Sequence, residues 1–171
     1  MLPQIPLERF EVFAEGLDHP EGLAFDRDGD LWAGGEQGQI YRISRKGEVR
    51  TVTTLGGFNL GLTFSAQQEL FVCNFKLGAL LQLSRSGKVK RTWERAGRYR
   101  LRNPNFAVFD SEGNLYFSDS GTSKRPTASS SFFVPMARSS NCLLRWRFRT
   151  DSRSAPTNAR STWSRAPGTM S

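Results

Sequence analysis

Two short polar segments stand out as able to do chemistry, His19-Pro20-Glu21-Gly22 and Arg102-Asn103-Pro104-Asn105. Each sits just ahead of an apolar run, the first giving an imidazole and a carboxylate, the second a guanidinium and two amides. Asn59 occupies a matching place between them and reads as structural, and His19 and the Asn-Pro-Asn sequence both suit a turn. Because His19 is the only histidine, a histidine-based triad must run through it, and no Gly-x-Ser-x-Gly elbow accompanies it. There is no Cys and His cluster of the kind that holds zinc, and no Gly-x-Gly-x-x-Gly follows a predicted strand.

The elements that must position these segments repeat. Gly22-Leu23-Ala24-Phe25 followed by Asp28-Gly29-Asp30-Leu31-Trp32 returns as Gly61-Leu62-Thr63-Phe64 with Glu69-Leu70-Phe71. It returns again as Phe106-Ala107-Val108-Phe109 with Glu112-Gly113-Asn114-Leu115-Tyr116. Leu31, Leu70 and Leu115 are spaced by 39 and 45 residues, the period of a four-stranded propeller blade. Short apolar segments between Asp-Gly, Ser-Gly and Lys-Gly turns predict strands over 22–25, 31–34, 39–43 and 49–53 in the first unit. The second unit predicts 61–64, 70–74, 79–83 and 89–93, and the third predicts 106–109 and 115–119 before its pattern stops. A β-sandwich also has short strands, but it has no reason to repeat one motif at this period. The fold class expected is therefore all-β, an incomplete β-propeller of about two and a half four-stranded blades.

Charge divides the chain in two. Residues 1–122 hold 15 Lys and Arg against 15 Asp and Glu, so the formal net charge of +8 resides in residues 123–171. That stretch has 11 Ser and 8 Arg and no period-2 apolar pattern, which predicts a disordered basic tail. Arg/Ser-rich segments can bind RNA, but the genetic code offers another origin. Met136 ends in G and Ala137 begins with GC, so the overlapping codon is a forced glycine. Around it, permitted codons for Ala128 to Cys142 can spell a strand and turn resembling Gln39 to Val49, and those for Arg147 to Ala159 the start of another blade. We expect a partial propeller over 1–122 and an out-of-frame translation over 123–171, and hence no nucleic-acid partner.

Cys73, inside the apolar run 70–73, is expected to be a buried reduced thiol, and with Cys142 it is too little for a disulfide framework. The N-terminus lacks a secretory pattern and no 18 apolar residues run together, so the expectation is a cytoplasmic protein with no membrane partner.

His19-Pro20-Glu21-Gly22 with Phe25, Gly29 and Trp32 resembles the opening blade of the family of gluconolactonase, senescence marker protein (regucalcin) and luciferin-regenerating enzyme. The resemblance implies a six-bladed parent in which a Glu-Gly-Pro-x-Trp motif supplies a metal ligand at the mouth of the channel. It makes Glu21 the metal ligand, with Leu23 and Phe25 standing where that motif has Pro and Trp, and divalent metal, Ca²⁺, the cofactor. Arg102-Asn103-Pro104-Asn105 resembles the family's substrate-touching Arg-Pro-Asn-Asp segment, which implies Asn105 and Arg102 as substrate contacts, with Phe106 replacing the Asp. Asp119 and Ser120 resemble the family's Phe-Thr-Asp and are expected to make inter-strand hydrogen bonds. The remaining implied ligands are an Asn spelled across Arg149 and Thr150 in the shifted frame and an Asp beyond Ser171, so no catalytic base is expected within the chain. Together these imply part of a calcium-dependent hydrolase of sugar lactones or small esters, inactive as it stands; the alternative is a non-enzymatic binding propeller.

Overall fold

The computed structural model describes residues 5–121 and 130–134. After a 3₁₀ turn at Leu7–Arg9, an extended segment leads into blade one, an antiparallel sheet of β1 (Leu23–Phe25), β2 (Leu31–Gly34), β3 (Gln39–Ile43) and β4 (Val49–Thr54) in sequential order. Blade two repeats the arrangement with β5 (Asn59–Phe64), β6 (Leu70–Asn74), β7 (Ala79–Leu83) and β8 (Val89–Trp93). A two-stranded ribbon, β9 (Arg95–Ala96) and β10 (Tyr99–Arg100), precedes blade three, which holds β11 (Pro104–Phe109), β12 (Leu115–Asp119) and β13 (Ser130–Val134). This is an incomplete β-propeller, and the predicted strands fall within two residues of those observed.

The difference lies in blade three. Its third strand, β13, pairs antiparallel with β12 from Leu115 opposite Val134 to Asp119 opposite Ser130. Ser131-Phe132-Phe133-Val134 has strand propensity but no alternation, so period-2 reading misses it, whereas the open edge of β12 offers it a hydrogen-bonding partner. The rest of the stretch expected to be a tail lies outside the described residues.

Each blade turns its first corner the same way. In blade one the backbone of Asp26 bonds that of Asp30 while its Oδ1 accepts from the amides of Asp28 and Asp30 at 2.9 and 3.0 Å. Asp110 does this for Glu112 and Asn114 at 2.9 and 2.8 Å, and the Ser65 hydroxyl accepts from Glu69 at 3.2 Å. An Asp or Ser that satisfies its own turn amides is the local reason these strands end where they do.

The core is stacked between blades. Trp32 and Ile40 of blade one pack against Leu62, Leu70, Val72 and Leu81 of blade two. Phe71, Cys73 and Leu80 pack against Ala107, Leu115 and Phe117 of blade three, with Ala96 of the ribbon and Leu101 just after it closing the layer. The aromatic contacts repeat: Phe64 meets Trp32 edge-on at 5.5 Å and Phe109 meets Phe71 edge-on at 5.2 Å. Burying each such side chain contributes about 1.5–3 kcal/mol. Ala14 and Leu17 lean on the other face of blade one, leaving Leu23 and Phe25 exposed there, as Phe106 and Val108 are on blade three.

Nearest the axis the blades touch through main chain. A Cβ on Gly22 would overlap the Leu60 carbonyl, and one on Gly61 would lie 2.6 Å from the Asn105 carbonyl oxygen and the Phe106 Cα. Glycine is therefore required at both positions by proximity rather than by dihedral angle. The contacts set β1, β5 and β11 side by side.

Candidate functional site

The inner strands bring the sequence-predicted residues to one edge. Glu21 sits immediately before Gly22, Leu60 before Gly61 and Asn105 before Phe106, so the backbone contacts above line up these three positions from blade to blade. The pairing register shifts between Asn59 and Leu62 in blade two and between Pro104 and Ala107 in blade three. A bulge at this point takes the mouth residues out of the regular ladder. The amide of Phe106, released by the bulge, donates to the Ser118 hydroxyl at 3.2 Å.

Glu21 is half-exposed, and its carboxylate lies 4.0 Å from His19 Nε2. His19 adopts φ 46° in the turn before β1, and its Nδ1–H donates to Glu36 Oε2 at 3.0 Å. That hydrogen bond, helped by the charges of Glu36, Glu21 and Asp18, holds the imidazole pKa above its usual value. The His19 ring also lies against Phe58 at 5.5 Å, and Phe58 meets Phe75 edge-on at 6.5 Å. The result is an acidic rim, Glu21 and Glu36 around one imidazole, beside an aromatic surface. Such a rim can exchange protons and attract a cationic or polar ligand.

Arg102 and Asn105 flank the entry to β11. The amides of Arg102 and Asn103 donate to the buried Asp119 carboxylate at 2.8 and 3.0 Å, and Gly121 adds a third at 2.8 Å. Asp119 thus pins this loop through its backbone, and the Ser120 amide donates to the Asn103 carbonyl at 2.9 Å. Asn59 is fully buried: its amide group donates to the Gln39 carbonyl and its Oδ1 accepts from Asn74 at 2.7 Å. The first bond joins blade two to blade one, the second lies within blade two, and together they leave Asn59 a structural residue.

Glu36, Phe58 and Phe75 escape motif reading. Glu36 and Phe75 both lie in the turn after the second strand of a blade, in Gly34-Gly35-Glu36 and Asn74-Phe75-Lys76. Superposing the repeats past their second strand is the signal that marks them.

Among the described residues no group of three or more His, Cys, Asp and Glu is placed to hold a metal ion. A calcium ion takes six to eight oxygen ligands, and Glu21 is the one sequence-predicted ligand among the described residues. The described half-ring does not by itself fit a resident Ca²⁺. No helix among the described residues is long and apolar enough to cross a membrane.

Residues 7–43 match the family model described as strictosidine synthase-like, N-terminal. Among solved structures, a gluconolactonase from Xanthomonas campestris is similar with a TM-score of 0.62 and 20% identity, over 72% of this chain and 46% of that one. Two structures of virginiamycin B lyase from Staphylococcus aureus are similar, both at 15% identity. The first has a TM-score of 0.57 over 76% of this chain and 41% of that one. The second, a catalytically inactive form with quinupristin, has a TM-score of 0.60 over 79% and 42%. No curated protein matches by sequence. The chain spans less than half the length of these structures.

Proposed function

With a fold of the propeller superfamily that includes gluconolactonase-like enzymes as its premise, we propose that this chain is part of a hydrolase acting on sugar lactones or similar small esters. The observation that carries the reading is the alignment of Glu21 and Asn105 along one edge by the glycine contacts of the inner strands. In this reading Asn105 and Arg102 hold the polar groups of the substrate, and Glu21 is the carboxylate that this part of the ring brings to the mouth. In this reading a divalent metal, Ca²⁺, would take Glu21 as one ligand and its other oxygen donors from blades beyond the described residues. Hydrolysis requires water to add to the lactone carbonyl and the ring C–O bond to break, releasing a hydroxy acid. A carboxylate that accepts the water proton serves as general base.

The test is made on the protein read with its frame restored after residue 122. Lactone hydrolysis is expected that is abolished by chelator, restored by Ca²⁺ and lowered at least about tenfold by Glu21→Gln. Saturable binding of a lactone with no turnover and no response to chelator would instead identify a binding module.

A further inference from the structure

Away from the mouth, a cleft of about 600 Å³ opens between blades one and two. Its lining includes Arg42, Arg50, Thr51, Arg85, Ser86 and Asp28. The three arginines come from three elements: Arg42 from β3, Arg50 from β4 and Arg85 from the turn between β7 and β8. Arg42 and Arg50 are direct cross-strand partners, which sets two cations opposite each other in the ladder. Like charges so placed destabilise a sheet unless something neutralises them.

The carboxylates present meet only part of this demand. Arg42 Nη2 reaches Asp30 at 2.7 Å, Asp26 at 3.6 Å and Asp28 at 3.8 Å. Arg85 Nη2 donates to Asp26 at 2.7 Å and also to Asp28. Both guanidinium groups nevertheless keep a buried Nε–H with no acceptor among the described residues. Arg50 has no acidic partner among the described residues. A cleft that gathers three guanidinium groups, one of them without an acidic partner among the described residues, is matched by a tetrahedral oxyanion, whose oxygens accept from guanidinium forks.

We propose that this interblade cleft binds a phosphate group, with Arg50 as the principal contact and Arg42 and Arg85 as the flanking donors. The volume accommodates either inorganic phosphate or the phosphate of a small phosphorylated molecule. Asp28, the carboxylate on the lining, is held by Arg85 and stays engaged while the anion pairs with Arg50.

Calorimetric titration of the 171-residue chain with inorganic phosphate and with glucose 6-phosphate, in buffers matched for chloride, tests the site. Saturable binding is expected that weakens at least about tenfold in Arg50→Gln, weakens less in Arg50→Lys and is unchanged in Arg9→Gln. Tighter binding of the sugar phosphate would show that the group arrives on a larger molecule, and equal affinity would show free phosphate as the ligand. Heats that never saturate with either probe, or binding that survives Arg50→Gln, would overturn the proposal. Arg42 and Arg85 are left intact because both hold the carboxylates of the first corner of blade one, Arg85 reaching them from blade two.

Discussion

Trp32 donates its indole N–H to Asp26 Oδ2 at 2.9 Å, and six residues along the same corner of blade three Tyr116 donates its hydroxyl to Asp110 Oδ2 at 2.9 Å. Blade two has Ser65 and Phe71 at these places, so acceptor and donor are lost together. Asp26 also receives Arg85 from blade two, which makes it the joint between a turn, a core aromatic and the neighbouring blade. Asp26→Ala should cost about 2–4 kcal/mol, because it orphans a buried N–H and leaves two guanidiniums short of a carboxylate. Urea unfolding followed by Trp fluorescence measures it, and Asp110→Ala should lose less.

Acid should loosen the same corners. Desolvation by burial works to raise the Asp26 pKa, but the hydrogen bonds from Trp32 and Asp30 and the charge of Arg85 outweigh it and hold the value below 3.8. Asp110 is likewise lowered by its bonds from Asn114 and Tyr116. A carboxylate depressed in the folded state contributes stability that is complete above its unfolded pKa and is lost as pH falls through its folded one. Stability should therefore begin to decline near pH 4 and continue to fall below it, with a shallower decline in Asp26→Asn.

Gly61→Ala should weaken the contact between blades two and three. Its new methyl would press on backbone atoms of Asn105 and Phe106, which cannot rotate away. A loss of about 1–3 kcal/mol is expected, with faster amide exchange in β11 than in β1.

Cys73 should be silent to thiol reagents in the native state. Burial pushes its pKa up to about 12, so almost no thiolate forms at neutral pH. In a Cys142→Ser background, labelling should follow unfolding, and rapid labelling of the native protein would contradict this packing.

The two apolar flanks should drive self-association. Phe25 is 69% exposed and Val108 49%, and each lies on an inner strand whose outward face meets no blade among the described residues. Phe25→Glu and Val108→Lys should each reduce concentration-dependent light scattering.

The blades themselves were legible because one motif returns at blade period and short apolar segments separated by turn residues mark the strands from Leu31 to Trp93. Ser130–Val134 was not, since its residues carry no alternation and its strand exists through pairing with β12. Of the site, Glu21 and Asn105 could be located by comparing repeats. The partnership of His19 with Glu36 joins two turns 17 residues apart, and that of Arg85 with Asp26 spans 59. Contacts of that kind come from the stacking of blades, which local pattern does not encode.

Position 106 follows Gly22 and Gly61 in the repeat, yet it carries a phenyl ring that is 55% exposed. Any strand that settles on the free side of β11 must make room for an aromatic side chain where its two counterparts admit no more than a hydrogen atom.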